Sequence, residues 1–180
     1  MPVGSPVFLQ NLPQRPGDRP VTNPCLPHAQ RSDHPSKEIW LELCDAVFGS
    51  RFPGCTGPVT SSMSLPTTQA LVLNESVPCF HSLPQREWSH VHEEQDGSLH
   101  LILSEADAHT LLSQRWGERH LMAGQEIQTK KFGTIRAEPG LVMVYAPRTR
   151  EEIQTVLQIM TASYQFCRGD FLPLAFWNSA

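Results

Sequence analysis

Apolar positions along the 180-residue chain fall into two rhythms. Ile39, Trp40, Leu43, Ala46 and Val47 recur at helical spacing, which predicts an amphipathic helix over residues 36–49. Ser32-Asp33-His34-Pro35-Ser36 offers helix-start chemistry ahead of it, and Gly49 suits its end. A second helix is predicted over 105–115, capped through Ser104-Glu105-Ala106-Asp107 and burying Ala108, Leu111 and Leu112. A third follows the capping box Thr149-x-x-Glu152 over 150–166, with Ile153, Val156, Leu157, Met160 and Tyr164 inward. A period of two marks residues 87–92 and 98–103, joined by Gln95-Asp96-Gly97, a tight-turn signal. In the second of these strands Leu99, Leu101 and Leu103 point one way and Ser98, His100 and Ile102 the other. His90 and His92 share a face of the first, so a hairpin can set three imidazoles on one side of a sheet. Ser62–Leu65 and Gln69–Leu73 read as short strands around Pro66, and the apolar run Leu141–Tyr145 as a buried one. Residues 51–58 and 78–84 read as loops, and polar residues 124–137 as a surface excursion.

Helix, short strands, hairpin, helix, strand and helix in that order predict an α+β two-layer domain, with a largely antiparallel sheet packed by about three helices. Prolines crowd residues 1–35, among them Pro6, Pro13, Pro16, Pro20 and Pro24, so this stretch is expected to be an extended, irregular arm. The domain is placed at 36–168 and an apolar tail at 169–180, interrupted by Pro173.

A net charge of -4 with no Lys/Arg block disfavours a nucleic-acid surface. The five cysteines are odd in number and form no CxxC pair, which disfavours a disulfide framework or a zinc ribbon and fits reduced thiols in the cytoplasm. No stretch approaches the roughly 20 apolar residues of a membrane span. No GxSxG elbow, GxGxxG or Walker loop occurs, so nucleotide cofactors and a serine nucleophile are not expected. The chemistry-bearing feature is the gathering of His90, His92 and His100 around an acidic turn. A metal could use His90-x-His92 with His100 or His120. A cupin-type site, however, would want its glutamate later than Glu93 and Glu94 and a glycine near Pro84, and no metal is expected on this pattern.

Several stretches together resemble the fungal luciferase domain family. They are "REWSHVHEEQDGSLHLILSEADAHTLLSQRWGERHLMAG" and "PGLVMVYAPRTREEIQTVLQIMTAS", with a leading Leu12-Pro13-x-Arg15-x-Gly17-x-Arg19-Pro20. The resemblance covers about residues 9–168. It departs from the family at Leu121, where a proline commonly follows the Arg-His pair, and in lacking the hydrophobic anchor of the mushroom enzyme, which suggests a soluble member. The resemblance implies a cofactor-free reaction of dioxygen with an electron-rich 3-hydroxy-2-pyrone, or a related oxidation, decarboxylation, cyclisation or isomerisation of a phenolic or polyketide-type metabolite.

Such chemistry needs a base for an enol proton and a donor for the oxyanion left behind. Histidine titrates near neutrality, so His90, His92, His100 and His120 suit the first role, and Arg119 suits the second. Arg148 can also hold an oxyanion, while Trp116 and Tyr145 can stack on a flat ring. Each has an ordinary structural alternative. The histidines can be hydrogen-bonded scaffold residues and Arg119 part of a polar turn. Trp116 and Tyr145 can be core, and Arg148 can pair with Glu151 or Glu152. His28, His34, His81 and His109 are expected to be solvated. The alternative function is a non-catalytic binding or interaction module that keeps the fold. The sequence fixes no oligomeric state.

Overall fold

The computed structural model describes residues 6–25, 28–49, 51–79, 83–129 and 131–170. The expectations for His81 and for the apolar tail lie outside these residues. Helix α1 (Lys37–Phe48) starts at Ser36, whose hydroxyl accepts the Ile39 N–H, and buries Leu43 and Val47. Strands β1 (Cys55–Thr60), β2 (Gln69–Leu73), β3 (Glu87–Val91) and β4 (Leu99–Ile102) follow. Helix α2 (Glu105–Ser113), β5 (Gly117–Arg119), β6 (Glu126–Thr129), β7 (Gly133–Arg136), β8 (Leu141–Val144) and α3 (Arg150–Arg168) complete the order. Six strands form one sheet in the order β1-β2-β3-β4-β8-β5, antiparallel throughout, and β6 pairs with β7 in a separate hairpin. This is the two-layer α+β architecture that the periodicity predicts.

Register decides which residues reach which face. On β4, Leu99 and Leu101 sit opposite Val144 and Val142 and face the helices, while His100 sits opposite Met143 and faces away. Helix α3 crosses β3 and β4, α2 packs on β5, and α1 lies against α3. An aromatic cluster locks this layer: the Phe52 ring is 5.1 Å from Trp88 and 5.4 Å from Tyr164. A β-bulge in β3 matters most. Leu71 pairs with Ser89, but Val72 pairs with Glu87, so Trp88 is the extra residue. The bulge lets Trp88 join the helix-side core while Glu87 and His90 share the opposite face.

The Pro-rich arm is built into the domain. Leu9 and Leu12 are buried in the core. The Asp107 carboxylate accepts the N–H groups of Phe8 and Leu9. Trp116 Nε1 donates to the Pro13 carbonyl at 2.6 Å and Arg148 Nη2 to that of Pro16 at 2.8 Å. Further on, Thr22 and Gln30 form a bridge, and the Gln30 side chain accepts the Ala146 N–H, which lays residues 20–25 and 28–31 over the sheet face away from the helices.

Four local expectations are corrected. Cys55–Thr60 is a strand rather than a loop: β1 is an edge strand, where Pro58 is tolerated, and a Cβ at Gly57 would meet the Leu71 side chain at 2.7 Å. Ser62–Leu65 is the turn between β1 and β2 rather than a strand, closed by Ser61 N–H to Thr68 O and Thr68 N–H to Leu65 O. Gly117–Arg119 is a strand, because Gly117 lets the backbone approach Met143 O, which a Cβ would meet at 2.2 Å. Residues 124–129 and 131–137 lie at the surface as expected, none of them fully buried, but they hold the β6–β7 hairpin.

Candidate active site: a buried imidazole cluster

The sheet face away from the helices gathers His90 from β3, His100 from β4, His92 just beyond β3 and His120 just beyond β5. The register puts His90 opposite His100, and His92 N–H bonds to Ser98 O, which extends the same ladder. His28 joins them from the arm. It is 1% exposed, so the expectation that it is solvated is corrected: residues 28–31 lie over the sheet. All five residues are at most 8% exposed. Ring centroids are 4.5 Å apart for His92 and His100, 4.6 Å for His100 and His120, and 5.0 Å for His28 and His120.

Three carboxylates hold the rings from outside. Glu87 Oε1 bonds His90 Nδ1 at 2.8 Å, Asp96 Oδ2 bonds His92 Nδ1, and Glu118 Oε1 bonds His28 Nε2 at 2.5 Å. Each carboxylate is also fed by other donors: Ser61, Ser62 and the Ser62 N–H for Glu87, the Gln30 and Ser98 N–H groups for Asp96, and the Tyr145 hydroxyl for Glu118. Burial pushes Glu87 and Asp96 upward, but their histidine and other donor bonds win and hold both below the usual carboxylate range. The bond from His28 does the same for Glu118.

Ionised carboxylates accept only, so they fix the ring tautomers. His90 and His92 carry hydrogen on Nδ1 and His28 on Nε2. Burial lowers His90, so its inward nitrogen, Nε2, is a lone pair. His90 Nε2 lies 3.1 Å from His100 Nδ1, which makes His100 the donor and leaves a lone pair on His100 Nε2. His92 Nε2, His100 Nε2 and His28 Nδ1 are buried with no hydrogen-bond partner among the described residues. His120 is reversed. Its Nδ1 accepts the Met122 N–H at 3.1 Å, so its hydrogen sits on Nε2. Burial, then the neighbouring imidazoles, push His100 well below the usual histidine range and His120 down to about 4. Burial also lowers His90, against the pull of Glu87. These three rings are neutral at pH 7.

A pocket opens beside the cluster. His90, His100 and His120 form part of its wall, and Ile102, Met122, Ile127, Ile135 and Leu141 supply apolar surface, two of them from the β6–β7 hairpin. A second opening reaches His92 and Asp96 from the other side.

The remaining candidate residues lie elsewhere. Arg119 alternates with Glu118 along β5, so its side chain leaves by the helix face and pairs with Glu105 at 3.1 Å. Trp116 is core and ties down Pro13. Arg148 pairs with Glu152 and holds Pro16. Tyr145 is fully buried and reaches the cluster through Glu118.

The profile of the luciferase domain matches residues 85–163. The chain is 30% identical to "Luciferase" of Armillaria gallica over 177 residues, and 29% identical to "Luciferase" of Neonothopanus nambi over 180 residues. The chain belongs to the fungal luciferase-domain family. Each alignment takes in 91% of this chain, but the chain spans only 64% and 63% of the two relatives' lengths. No solved structure matches. The luciferase-domain match holds His90, His92, His100 and His120 with Glu87, Asp96 and Glu118, and leaves out His28. Among the described residues no helix is long and apolar enough to cross a membrane.

Sequence reading missed His28 and the three carboxylates. Asp96 was visible only as a turn residue, and Glu87 as the start of a strand. His28 has no periodic signal, because an irregular arm presents it.

Proposed function

We propose that this luciferase-domain protein is a small-molecule enzyme that oxidises, with dioxygen, a flat enolic or phenolic metabolite of the pyrone or polyketide type. The observation that carries the reading is the fixed polarity of the pocket wall. Neutral His100 leaves its Nε2 as a lone pair without a partner, while the adjacent His120 offers an N–H at Nε2. A substrate hydroxyl entering from the apolar pocket meets an acceptor for its proton, and the oxygen left behind meets the His120 donor. A preorganised donor in a water-poor site is effective at holding such charge. An apolar pocket with few polar groups suits a ring-shaped ligand. The relatives named luciferase support dioxygen as co-substrate.

The test is oxygen uptake with a panel of hydroxypyrones and phenolic polyketides, read together with light. His120→Ala is expected to lower kcat/KM at least 100-fold, in the range of a lost oxyanion donor. Arg119→Ala, on the other face of the sheet, should leave turnover within about 2-fold, as surface pairs contribute little. Normal turnover in a folded His120→Ala protein would overturn the assignment.

A further inference from the structure

The imidazoles of the hairpin also face one another. His90, His92 and His100 each offer a ligand nitrogen, all within 4.8 Å of one another, and all three residues are buried. The outer nitrogens of His90 and His92 are tied to carboxylates, the arrangement that orients metal-binding imidazoles and raises their basicity. Their Nε2 atoms are the nitrogens left to bind an ion, and that of His92 is buried with no hydrogen-bond partner. His90 Nε2 and His100 Nδ1 stand 3.1 Å apart. Two nitrogens bound to one tetrahedral ion at about 2.0–2.1 Å would stand about 3.3 Å apart. Glu87 and Asp96 are buried carboxylates, and no lysine or arginine among the described residues pairs with either.

We propose that His90, His92 and His100 hold a divalent first-row transition-metal ion, with Glu87 and Asp96 as the carboxylates that orient two of the ligands. Imidazole ligands suit zinc, iron, copper and nickel, and three neutral imidazoles leave an open position on the ion. His90 and His100 also line the apolar pocket, so that position is reachable by a ligand there. Only His100 must change, moving its hydrogen from Nδ1 to Nε2. His120 is excluded from the set, because the Met122 N–H occupies the nitrogen that would have to carry hydrogen. The inference deepens the proposed function and rests on it: the ion would hold the enolic oxygen and acidify its hydroxyl, whose proton would pass to water at the pocket mouth. Its test needs no substrate, so the two can fail separately.

The full chain, stripped with a chelator, is titrated with Co²⁺ while its visible d–d absorption is followed, and bound metal is counted by mass spectrometry. A single equivalent is expected to bind. His92→Ala and His100→Ala should abolish the spectrum, and Asp96→Asn should weaken binding about 10–100-fold. His109→Ala, an exposed histidine on α2, should change nothing. Where the alanine variants do not fold, the electron paramagnetic resonance of Cu²⁺ in the native chain should show coupling to several ring nitrogens. A folded native chain that binds no Co²⁺, or that binds it equally well as His92→Gln, overturns the proposal. A copper spectrum without nitrogen coupling does the same. Metal uptake without oxidation of any pyrone would support the site and refute the substrate reading. Pyrone oxidation with no bound metal would do the reverse, as the family resemblance leads one to expect.

Discussion

Replacing Asp107 with alanine removes the acceptor that anchors the start of the arm. The carboxylate is fully buried and takes the Phe8 N–H at 3.0 and 3.1 Å and the Leu9 N–H at 2.9 Å. A hydrogen bond to a charged group contributes about 1.5–3 kcal/mol, and a buried N–H left without an acceptor loses its full solvation. The Leu9 bond is buried and belongs in the middle of that range, near 2 kcal/mol. The Phe8 donor is partly accessible, so water replaces some of the loss and about 1 kcal/mol is reasonable. Asp107 also sits in the first turn of α2, where a negative charge adds up to about 1 kcal/mol. The total is about 3–4 kcal/mol, a large part of the 5–15 kcal/mol that holds a typical domain. With a urea slope near 2 kcal/mol/M, the midpoint should fall by about 1.5–2 M. Asp107→Asn keeps one acceptor oxygen and should lose about half as much. Hydrogen exchange should quicken at the Arg15 amide, which bonds to Gln114 O in the intact arm. A midpoint shift under about 0.5 M, or unchanged exchange at Arg15, would refute the view that the arm is held this way.

Trp116→Phe keeps a large core ring but loses the bond to Pro13 O, so urea unfolding should report a loss of about 1 kcal/mol without a change of slope. At Gly140 a Cβ would stand 1.8 Å from Leu103 O, so Gly140→Ala must push β4 and β8 apart; a loss of about 3 kcal/mol or an insoluble product is expected. Metal-free protein should lose stability in mild acid. Buried His100 and His120 bind protons only well below 6.5, whereas the unfolded chain binds them near that value. Between about pH 6.5 and 4 the unfolded state therefore holds more protons and stability falls with pH, while above about 7 it is flat. A urea midpoint that is constant from pH 7.5 to 5 would contradict the buried, neutral assignment.

Much of this molecule is legible in the sequence because regular elements carry a period. The caps at Ser36, Ser104 and Thr149 and the alternation through Leu99–Leu103 gave the three helices and the central hairpin, with three imidazoles on one side of the sheet. Strand β1 was hidden because Gly57 and Pro58 break its pattern, and short β5 because three residues show no period. The site was legible only where it lies on the hairpin. Glu87 reaches His90 through a bulge, and a bulge leaves no trace in a binary pattern. Arg119 looked like part of the site because it adjoins His120, yet one step along a strand reverses the face. His28 depends on tertiary contacts of Gln30 with Asp96 and Ala146, far off in the chain.

The clamped arm also sets the order in which the molecule can be finished. The bonds that hold residues 8–16 reach partners 98 to 148 positions away, on α2, at Trp116, at Arg148 and on α3. Such distant pairings raise the contact order, and their loop-closure entropy must be met before they return any stability. During synthesis the arm leaves the ribosome first but has no seat until the last helix has formed. The fifth imidazole is thus delivered late, and the sheet face that carries the other four stays open to water until the two ends of the fold meet.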